Sequence, residues 1–407
     1  MNLPILHLKK HEERRLKVGH LWVFSNEVDT ARSPLASFSP GDQAVVVSAR
    51  GQALGVGYVN PGSLILARIC DQNPGARLGR DWLRERIAQA LALREALFPR
   101  PYYRMVFGEG DHLPGLVVDR YADVLSVQLL TAGMERLRQD VLDVLDDLVR
   151  PRAVLLKGDV RSRQLEGLPL EVVAAKGEVP DEVEVLEGEG LYRASLASGQ
   201  KTGWFYDQRP NRLAILPLCK GRRVLDVFSY VGALGVGAAL AGASEAVCVD
   251  ASGAAVEHVA ANASRNNVSQ KVRAVKADAQ DFLEEMAAKG ERFDVISLDP
   301  PAFVKRKKDL EQGMGAYHTV NKLAARLLAP DGFLLTASCS QHMEEQQFQR
   351  LIVSALSGKR RSQLVWRGGQ GPDHPVHPAM PETAYLKSLL FRVTAAHATA
   401  DGNSQNP

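Results

Sequence analysis

The amino-acid sequence predicts an α/β protein whose largest part is a Rossmann-like, doubly wound domain, expected over residues 189–394. From about Leu191 onward, short apolar strands alternate with helical stretches, which is typical of a parallel sheet covered by helices on both faces. Acidic residues also follow several of these strands, at the edge of an open sheet where ligands bind. The predicted strands are 223–227, 246–249, 272–276, 295–298 and 333–336.

Two smaller domains are expected before it. Residues 1–72 contain short β-branched runs between Gly and Pro turns, which predicts a small all-β domain. Residues 73–188 are predicted to form an α+β middle domain. The tail, 395–407, is small and polar and is predicted to be disordered. The elements expected in the middle domain are a helix over 80–97, hairpin strands over 116–118 and 124–128, an amphipathic helix over 134–149 and a strand over 153–156.

Composition excludes several classes of protein. The 407 residues are 45% hydrophobic and 24% charged with a net charge of +3, so a nucleic-acid surface would have to be a local patch. The four cysteines are widely spaced without a C-x-x-C pair, which argues against a zinc site or disulfides and favours a reducing cytoplasm. No secretory signal or membrane span is predicted. His374 and His377 have no evident third ligand, so no metal is expected.

The first strand of the last domain leads into a loop that suits S-adenosylmethionine. Asp226 stands in this strand, and the loop continues with Phe228, Tyr230 and Gly232. Dinucleotide sites need G-x-G-x-x-G so that backbone amides approach a pyrophosphate, whereas two aromatic residues occupy the first glycine positions here. A cofactor without phosphates is therefore favoured, with Asp226 holding its ammonium group directly or through water. The alternative is a strand-to-helix turn with two packing aromatics.

Further polar residues are predicted to complete the cofactor site. Asp250 lies 24 positions after Asp226, close to the spacing at which an acid reaches ribose hydroxyls, although an NAD site would place it similarly. Asp278 follows the third strand and could accept a hydrogen bond from an adenine amino group. Each acid alone could instead cap a helix. Gln208 is predicted to contact the methionine end of the cofactor, while capping of a helix by Asp207 is the alternative for this segment.

A substrate site is predicted after the fourth strand, in the run Asp299-Pro300-Pro301. The two prolines rigidify the turn and remove two amide donors, which leaves carbonyl groups and the Asp299 carboxylate to grip a base. Phe303 offers a ring on which a flipped base could stack, a contact worth ~1–3 kcal/mol, or it is a core residue. Lys305 is a candidate for proton removal and equally for a phosphate contact.

A thiol is expected beside this carboxylate, because Cys339 ends the strand that neighbours the one before Asp299. The chemistry that needs both groups is methylation of cytosine at C5. Addition of a thiolate at C6 makes C5 nucleophilic, and Asp299 would hydrogen-bond N3 and the amino group. The alternative is that Cys339 is a small buried hydrophobic residue.

Several motifs occur in one order along the chain: residues 19–25, 108–115, 201–209, the Asp299 motif and 338–340. With these motifs the chain resembles, over nearly its whole length, the bacterial large-subunit ribosomal RNA cytosine-5 methyltransferases with an N-terminal PUA domain. This resemblance implies a PUA domain, an RNA-contacting middle domain and a class I S-adenosylmethionine-dependent methyltransferase domain with Cys339 as nucleophile. It also implies 23S ribosomal RNA or a large-subunit assembly intermediate as partner, and a homodimer.

One position departs from the pattern of many RNA cytosine-5 methyltransferases. Ala302 stands where they have a second cysteine for product release, as it does in the single-cysteine branch of the family. The base that removes the C5 proton is therefore unassigned. Two function classes stay open beside the predicted one: an N2-guanine methyltransferase, which has no use for the thiol, and a non-catalytic RNA-binding assembly factor.

Two basic clusters are candidates for RNA contacts. Residues 1–20 contain five Lys or Arg residues between 9 and 17 against Glu12 and Glu13, a local surplus of 5 − 2 = +3. Residues 305–308, Lys-Arg-Lys-Lys, follow the predicted catalytic turn, where the RNA backbone beside a flipped base would lie. Either cluster could instead be a solvated face.

Overall fold

The computed structural model describes residues 3–196, 203–357 and 360–395, which form two compact units. Unit 1 comprises Met1–Leu186, Arg193–Asp207 and Gln370–Ala384, and unit 2 comprises Glu187–Tyr192, Gln208–Gly369 and Tyr385–Pro407. These units do not follow the predicted boundaries at 72 and 188, and the three-domain division stays a prediction. Residues 201 and 202 of one matching motif and residues 396–407 of the predicted disordered tail lie outside the described residues.

The N-terminal part of unit 1 contains a five-stranded sheet in the order β1-β3-β4-β5-β2. Strands β1 and β3 are parallel, and the other neighbours are antiparallel. One face of the sheet buries an apolar cluster that includes Leu6, Val23, Val46 and Leu66. The elements are β1 (Ile5–His7), α1 (Arg14–Lys17), β2 (Trp22–Phe24), β3 (Asp42–Val47), β4 (Ala53–Val59) and β5 (Ile65–Asp71).

The middle part of unit 1 contains a second five-stranded sheet, ordered β10-β9-β8-β7-β6, in which only β8 and β9 are parallel. The predicted helix over 80–97 has the predicted bounds. The predicted helix over 134–149 is wrong in one respect: it is two helices, because Leu137 leaves the helical region with φ −93° and ψ 11°. The elements are α2 (Arg80–Leu97), β6 (Tyr102–Phe107), β7 (Leu116–Tyr121), β8 (Val124–Leu129), α3 (Ala132–Arg136), α4 (Arg138–Val149), β9 (Ala153–Lys157), α5 (Arg161–Leu165) and β10 (Val172–Lys176).

Unit 2 is built on a seven-stranded sheet in the order β15-β14-β13-β16-β17-β19-β18. A separate two-stranded sheet, β11 and β12, precedes it in the chain, and most of its residues belong to unit 1. All five strands predicted for this domain are present. The elements are β11 (Glu182–Glu187), β12 (Gly190–Ser195), α6 (Arg209–Ile215), β13 (Arg223–Val227), α7 (Ala233–Leu240), β14 (Glu245–Asp250), α8 (Gly253–Arg265), β15 (Val272–Lys276), α9 (Ala279–Ala288), β16 (Phe293–Leu298), α10 (Leu310–Leu327), β17 (Leu328–Ser338), α11 (Glu345–Ala355), β18 (Arg360–Gly369) and β19 (Lys387–Ala395).

Helices cover both faces of this sheet, as the doubly wound prediction requires. Successive strand residues point to opposite faces. Leu225 and Ile296 belong to a core that also contains residues of α9, α10 and α11, whereas Val224 and Val295 belong to a core that contains residues of α6 and α7. The central strands β13 and β16 are therefore buried on both sides, which explains their largely apolar sequences.

The sheet is not parallel throughout. Strands β13 to β17 pair in parallel, but β19 is antiparallel to β17 and β18 is antiparallel to β19. The sequence analysis missed these last two strands. Within the described residues, no helix has both the length and the apolar character that crossing a membrane requires.

Candidate active site

Several predicted site residues of unit 2 follow the carboxyl ends of neighbouring strands, at one edge of the sheet. In the strand register Val227 lies beside Leu298, and Leu298 lies beside Thr336. Phe228 and Asp299 therefore follow directly at neighbouring positions. Cys339 follows Thr336 by three residues on the next strand. The carboxyl ends of parallel strands thus bring the predicted cofactor loop, acid and thiol to the same edge of unit 2.

Asp226, near the end of β13, is buried beneath this edge of the sheet. Its side chain is 4% exposed, and Oδ2 accepts a hydrogen bond from the backbone N–H of Gly235 at 3.1 Å. Burial raises the pKa of Asp226 to about 7; the Gly235 N–H opposes this shift, and the nearby carboxylates of Asp299 and Asp250 add to it. Three acids at one edge form a site that favours a cationic group.

The loop after Asp226 adopts the backbone geometry that glycine normally provides. Phe228 and Tyr230 have φ values of 64° and 49°, in the left-handed region, and Gly232 follows with φ 80°. The two aromatic residues therefore occupy glycine positions in conformation as well as in sequence. The hydroxyl of Ser229, between them, is buried and has no hydrogen-bond partner among the described residues.

Asp250 and Asp278 have different surroundings. Asp250 accepts a hydrogen bond from the Tyr230 N–H at 3.0 Å through Oδ2 and one from the Ser252 N–H at 2.9 Å through Oδ1. It therefore fixes the cofactor loop, and each oxygen keeps a lone pair for a hydroxyl. Asp278 is exposed and is the N-cap of α9, with Oδ1 accepting from the Gln280 and Asp281 amides. Helix capping, the alternative for this acid, is thus present.

Gln208 contacts the predicted catalytic acid. Its Nε2 donates a hydrogen bond to Oδ1 of Asp299 at 2.7 Å, and its Oε1 accepts one from Nδ2 of Asn211. Gln208 and Asn211 are both buried, whereas Asp299 is partly exposed. The chain of hydrogen bonds orients Asp299 from its buried side. Asn211 was not among the predicted site residues, although it lies three residues after Gln208 on the first turns of α6.

The residues after Asp299 divide between core and surface. Pro300 is buried and Lys305 is exposed. The ring of Phe303 is partly buried and packs edge-on against Tyr317 and Phe228, with centroid distances of 4.8 and 6.5 Å. Phe303 therefore closes part of the apolar core, and its predicted stacking with a base stays a prediction.

Cys339 lies on a turn held by hydroxyl groups. Its thiol is partly exposed, while the flanking Ser338 and Ser340 are fully buried. Both serine hydroxyls lie 2.9 Å from the phenol oxygen of Tyr317, and Ser340 Oγ accepts a hydrogen bond from the Val304 amide at 3.1 Å. The buried side chains of Ser338 and Ser340 fix the backbone on either side of the partly exposed Cys339.

A buried lysine, which the sequence analysis missed, lies next to this turn. Lys387 begins β19 opposite Ser338 and is 8% exposed. Its Nζ donates hydrogen bonds to the carbonyl groups of Ser340 at 2.6 Å and Tyr385 at 2.9 Å. Burial lowers the pKa of Lys387 to about 8, an effect that Cys339 and Glu345 oppose. A lysine two residues before the apolar run 389–391 was the available sequence signal.

The residues around the loop fit S-adenosylmethionine. Residues 226–235 contain no Lys or Arg, so the loop offers no side chain to a pyrophosphate, whereas its acids suit an ammonium group and a sulfonium. The unpartnered Ser229 hydroxyl is a polar group that a ligand can satisfy, since buried polar groups are normally hydrogen-bonded. Asp226, Asp250 and Ser229 would hold the cofactor, while Phe228 and Tyr230 shape the loop.

Comparisons with known proteins agree with this architecture. Residues 6–72 match the family described as a PUA-like domain, and residues 211–363 match the family described as conserved hypothetical protein 95. A solved protein from Streptococcus mutans, described as a SAM-dependent methyltransferase, has a TM-score of 0.81 at 20% identity and covers 96% of this chain and 100% of its own. Another, described as a methyltransferase complexed with SAH, has a TM-score of 0.82 at 20% identity over 96% and 100%. These similarities confirm the predicted fold class.

Relatives with higher identity identify the family. "Ribosomal RNA large subunit methyltransferase I" of Tolumonas auensis is 37% identical over 394 residues, which cover 95% of this chain and 98% of the relative. The protein of the same name from Shewanella denitrificans is 38% identical over 392 residues, with the same coverage. Membership in a methyltransferase family agrees with the predicted cofactor, S-adenosylmethionine. This chain therefore belongs to the ribosomal RNA large subunit methyltransferase I family.

Proposed function

We propose that this protein transfers a methyl group from S-adenosylmethionine to C5 of a cytosine in large-subunit (23S) ribosomal RNA through a covalent adduct with Cys339. The supporting observation is the different setting of the four cysteines. Cys70, Cys219 and Cys248 are buried, and burial raises the pKa of each thiol, to about 12 for Cys219. Cys339 alone is partly exposed, and it lies at the edge of the sheet that Asp299 also occupies. A thiolate acts as a nucleophile only where substrate can reach it.

The roles of the two residues follow from the chemistry of the ring. The Cys339 thiolate forms a bond to C6, and the electron pair displaced toward C5 makes that carbon a nucleophile. The carboxyl group of Asp299, in its protonated form, donates a hydrogen bond to N3 and accepts one from the exocyclic amino group while this charge develops. S-adenosylmethionine supplies the methyl group, so the new C5–CH3 bond forms as the S–CH3 bond breaks. Loss of the C5 proton to a base then returns the electrons and releases the Cys339 sulfur.

Three features of the chain support RNA as the substrate. The relatives are named for ribosomal RNA, and residues 6–72 match a PUA-like domain. The exposed run 305–308 follows the Asp299 turn, although Arg306 pairs with Asp309 at 2.9 Å. In the N-terminal cluster, Arg15 pairs with Glu27 at 2.6 Å, which leaves less free positive charge than the sequence indicated. We therefore assign the RNA backbone near the flipped base to residues 305–308, with Lys305 as a phosphate contact.

The experiment that tests this function is replacement of the nucleophile. Cys339→Ser should retain the fold and the affinity for S-adenosylmethionine but lose cytosine methylation, measured by mass spectrometry of nucleosides and bisulfite mapping of 23S ribosomal RNA. Cys219→Ser, which alters a buried thiol in the same unit, is the matched control and should remain active when folded. Full turnover by a folded Cys339→Ser protein would rule out the covalent mechanism.

An N2-guanine methyltransferase is the second candidate. Such an enzyme would use the cofactor loop and the Asp299-Pro300 turn but would not need Cys339. The match of residues 211–363 to a family described only as a conserved hypothetical protein is compatible with either base. Nucleoside analysis distinguishes the two, because only one product is 5-methylcytosine. A non-catalytic assembly factor would show no heat of binding when titrated with S-adenosylmethionine.

A further inference from the structure

We propose that the ammonium group of Lys387 is the counter-charge of the Cys339 thiolate and keeps the nucleophile ionised before substrate binds. This proposal rests on the proposed function, because it concerns the same nucleophile. Lys387 acts through Cys339, so it is a positioning residue and not a catalytic one.

Lys387 contacts the residues that precede and follow the nucleophile. Lys387 lies opposite Ser338, the residue before Cys339, and donates at 2.6 Å to the carbonyl of Ser340, the residue after it. The side chain of Lys387 therefore runs beside residues 338–340, the segment that contains the thiol. A lysine has three N–H donors, and the carbonyl groups of Ser340 and Tyr385 accept two of them.

The ammonium group of Lys387 is buried without a direct ion pair to any carboxylate of the described residues. None of the ion pairs formed within the described residues includes Lys387, although 92% of its surface is covered (8% exposed). An ionised side chain in such a place is costly unless an opposite charge lies nearby. Cys339 is close enough for its thiolate to favour the charged form of Lys387. Attraction between two charges is mutual, so Lys387 favours the thiolate in the same measure.

The other titratable groups near the thiol do not replace this interaction. Tyr317, on α10, hydrogen-bonds both serines beside Cys339, and burial raises its pKa, so it is neutral at physiological pH. Glu345, at the start of α11, interacts with Lys387 but pairs with Arg367 at 2.6 Å. Asp299 offers no positive charge to a thiolate. Lys387 is thus a positive group packed against this turn that can stabilise the nucleophile.

The test measures thiol reactivity and needs neither RNA nor methyl transfer. Alkylation of Cys339 by iodoacetamide is followed from pH 5.5 to 9.5, with mass spectrometry of the peptide that contains it. We expect Lys387→Met to slow alkylation at pH 7 about tenfold and to move the midpoint of the profile up by about one pH unit. Lys387→Arg, which keeps the charge, should restore most of the difference. Lys289→Met, an exposed lysine on the end of α9, is the matched control and should not change the profile.

An unchanged alkylation profile in folded Lys387→Met would overturn the proposal. If that variant does not fold, thiolate absorbance at 240 nm in the unmodified protein, minus that of Cys339→Ser, gives the same titration. A midpoint below the ordinary thiol value of about 8.5 supports the proposal, and a midpoint at or above it overturns it. A shifted profile combined with absent 5-methylcytosine would refute the proposed function and leave the Lys387–Cys339 interaction standing.

Discussion

The backbone amide of Val304 donates a hydrogen bond to the hydroxyl of Ser340 at 3.1 Å, which joins the turn after Asp299 to the turn that contains Cys339. Ser340 Oγ also lies 2.9 Å from the Tyr317 phenol oxygen. The relative position of the acid and the thiol therefore depends on hydroxyl groups that do not themselves react. Such supporting hydrogen bonds are what hold a reactive constellation in a productive geometry.

Ser340→Ala should destabilise the protein by about 1–3 kcal/mol, because it leaves the buried Val304 N–H without an acceptor. Chemical denaturation monitored by tryptophan fluorescence measures this change. Ser357→Ala is the control, since the Ser357 hydroxyl bonds only a carbonyl of its own helix end, at an exposed position. Equal unfolding midpoints for the two variants would contradict the supporting role of Ser340.

Gln208→Leu should lower kcat for methylation at least tenfold, because Asp299 loses the donor that orients its carboxylate at 2.7 Å. Steady-state kinetics with calorimetry of S-adenosylmethionine binding separates two roles. An unchanged Kd with reduced kcat indicates that Gln208 acts through Asp299. A weaker Kd indicates the contact with the methionine end of the cofactor that the sequence predicted, and wild-type values of both would refute both roles.

Asp226 should make the stability of the cofactor-free protein depend on pH. Its pKa is raised from 3.8 to about 7 in the folded state, so folding favours the protonated carboxyl. The stabilisation is complete below pH 4 and is lost as pH rises through 7, a change on the order of a few kcal/mol. Asp226→Asn, whose amide resembles the neutral carboxyl, should flatten the decline in thermal stability between pH 4 and 8. Asp278→Asn, at an exposed helix cap, should retain it.

Failure of Asp226→Asn to flatten this decline would show that the carboxyl is already ionised in the folded protein. Titration of the cofactor gives an independent check. A cationic cofactor favours the ionised carboxylate, so its affinity for the wild type should increase from pH 6 to pH 8. The affinity of the Asp226→Asn protein should be weaker and less dependent on pH.

Tyr230→Gly should be more stable than Tyr230→Ala by about 1 kcal/mol. Residue 230 has φ 49°, a conformation that costs alanine energy and costs glycine little. Both variants lose the same ring contacts, so their difference in unfolding free energy reports the backbone alone. The neighbouring Ser229, which has no positive φ, should show the opposite order for its Gly and Ala variants. An alanine variant at 230 as stable as the glycine variant would contradict the strained geometry.

Much of the secondary structure of unit 2 was predictable because short stretches of sequence determine it. Strands β13 (223–227) and β15 (272–276) have the predicted bounds. Strand β13 is buried from Val224 to Val227, whereas β15 lies at an edge of the sheet and is partly exposed. The strand β18 was missed because its edge position allows polar residues. Its segment, 360–369, includes three arginines, and its apolar run is short, 364–366.

Local patterns alone also indicated four site residues, Asp226, Asp250, Asp299 and Cys339. Each stands at or near the end of a predicted strand, where ligands bind in open α/β sheets. Only the folded structure shows which residues contact these groups. Gln208 hydrogen-bonds Asp299, Tyr317 hydrogen-bonds the serines at 338 and 340, and Lys387 lies beside Cys339. Those partners are distant in sequence, and no periodic pattern links residues that meet only through strand register. The reacting groups could therefore be predicted from the sequence alone. Their hydrogen bonds and counter-charges depend on packing between segments that are tens of residues apart.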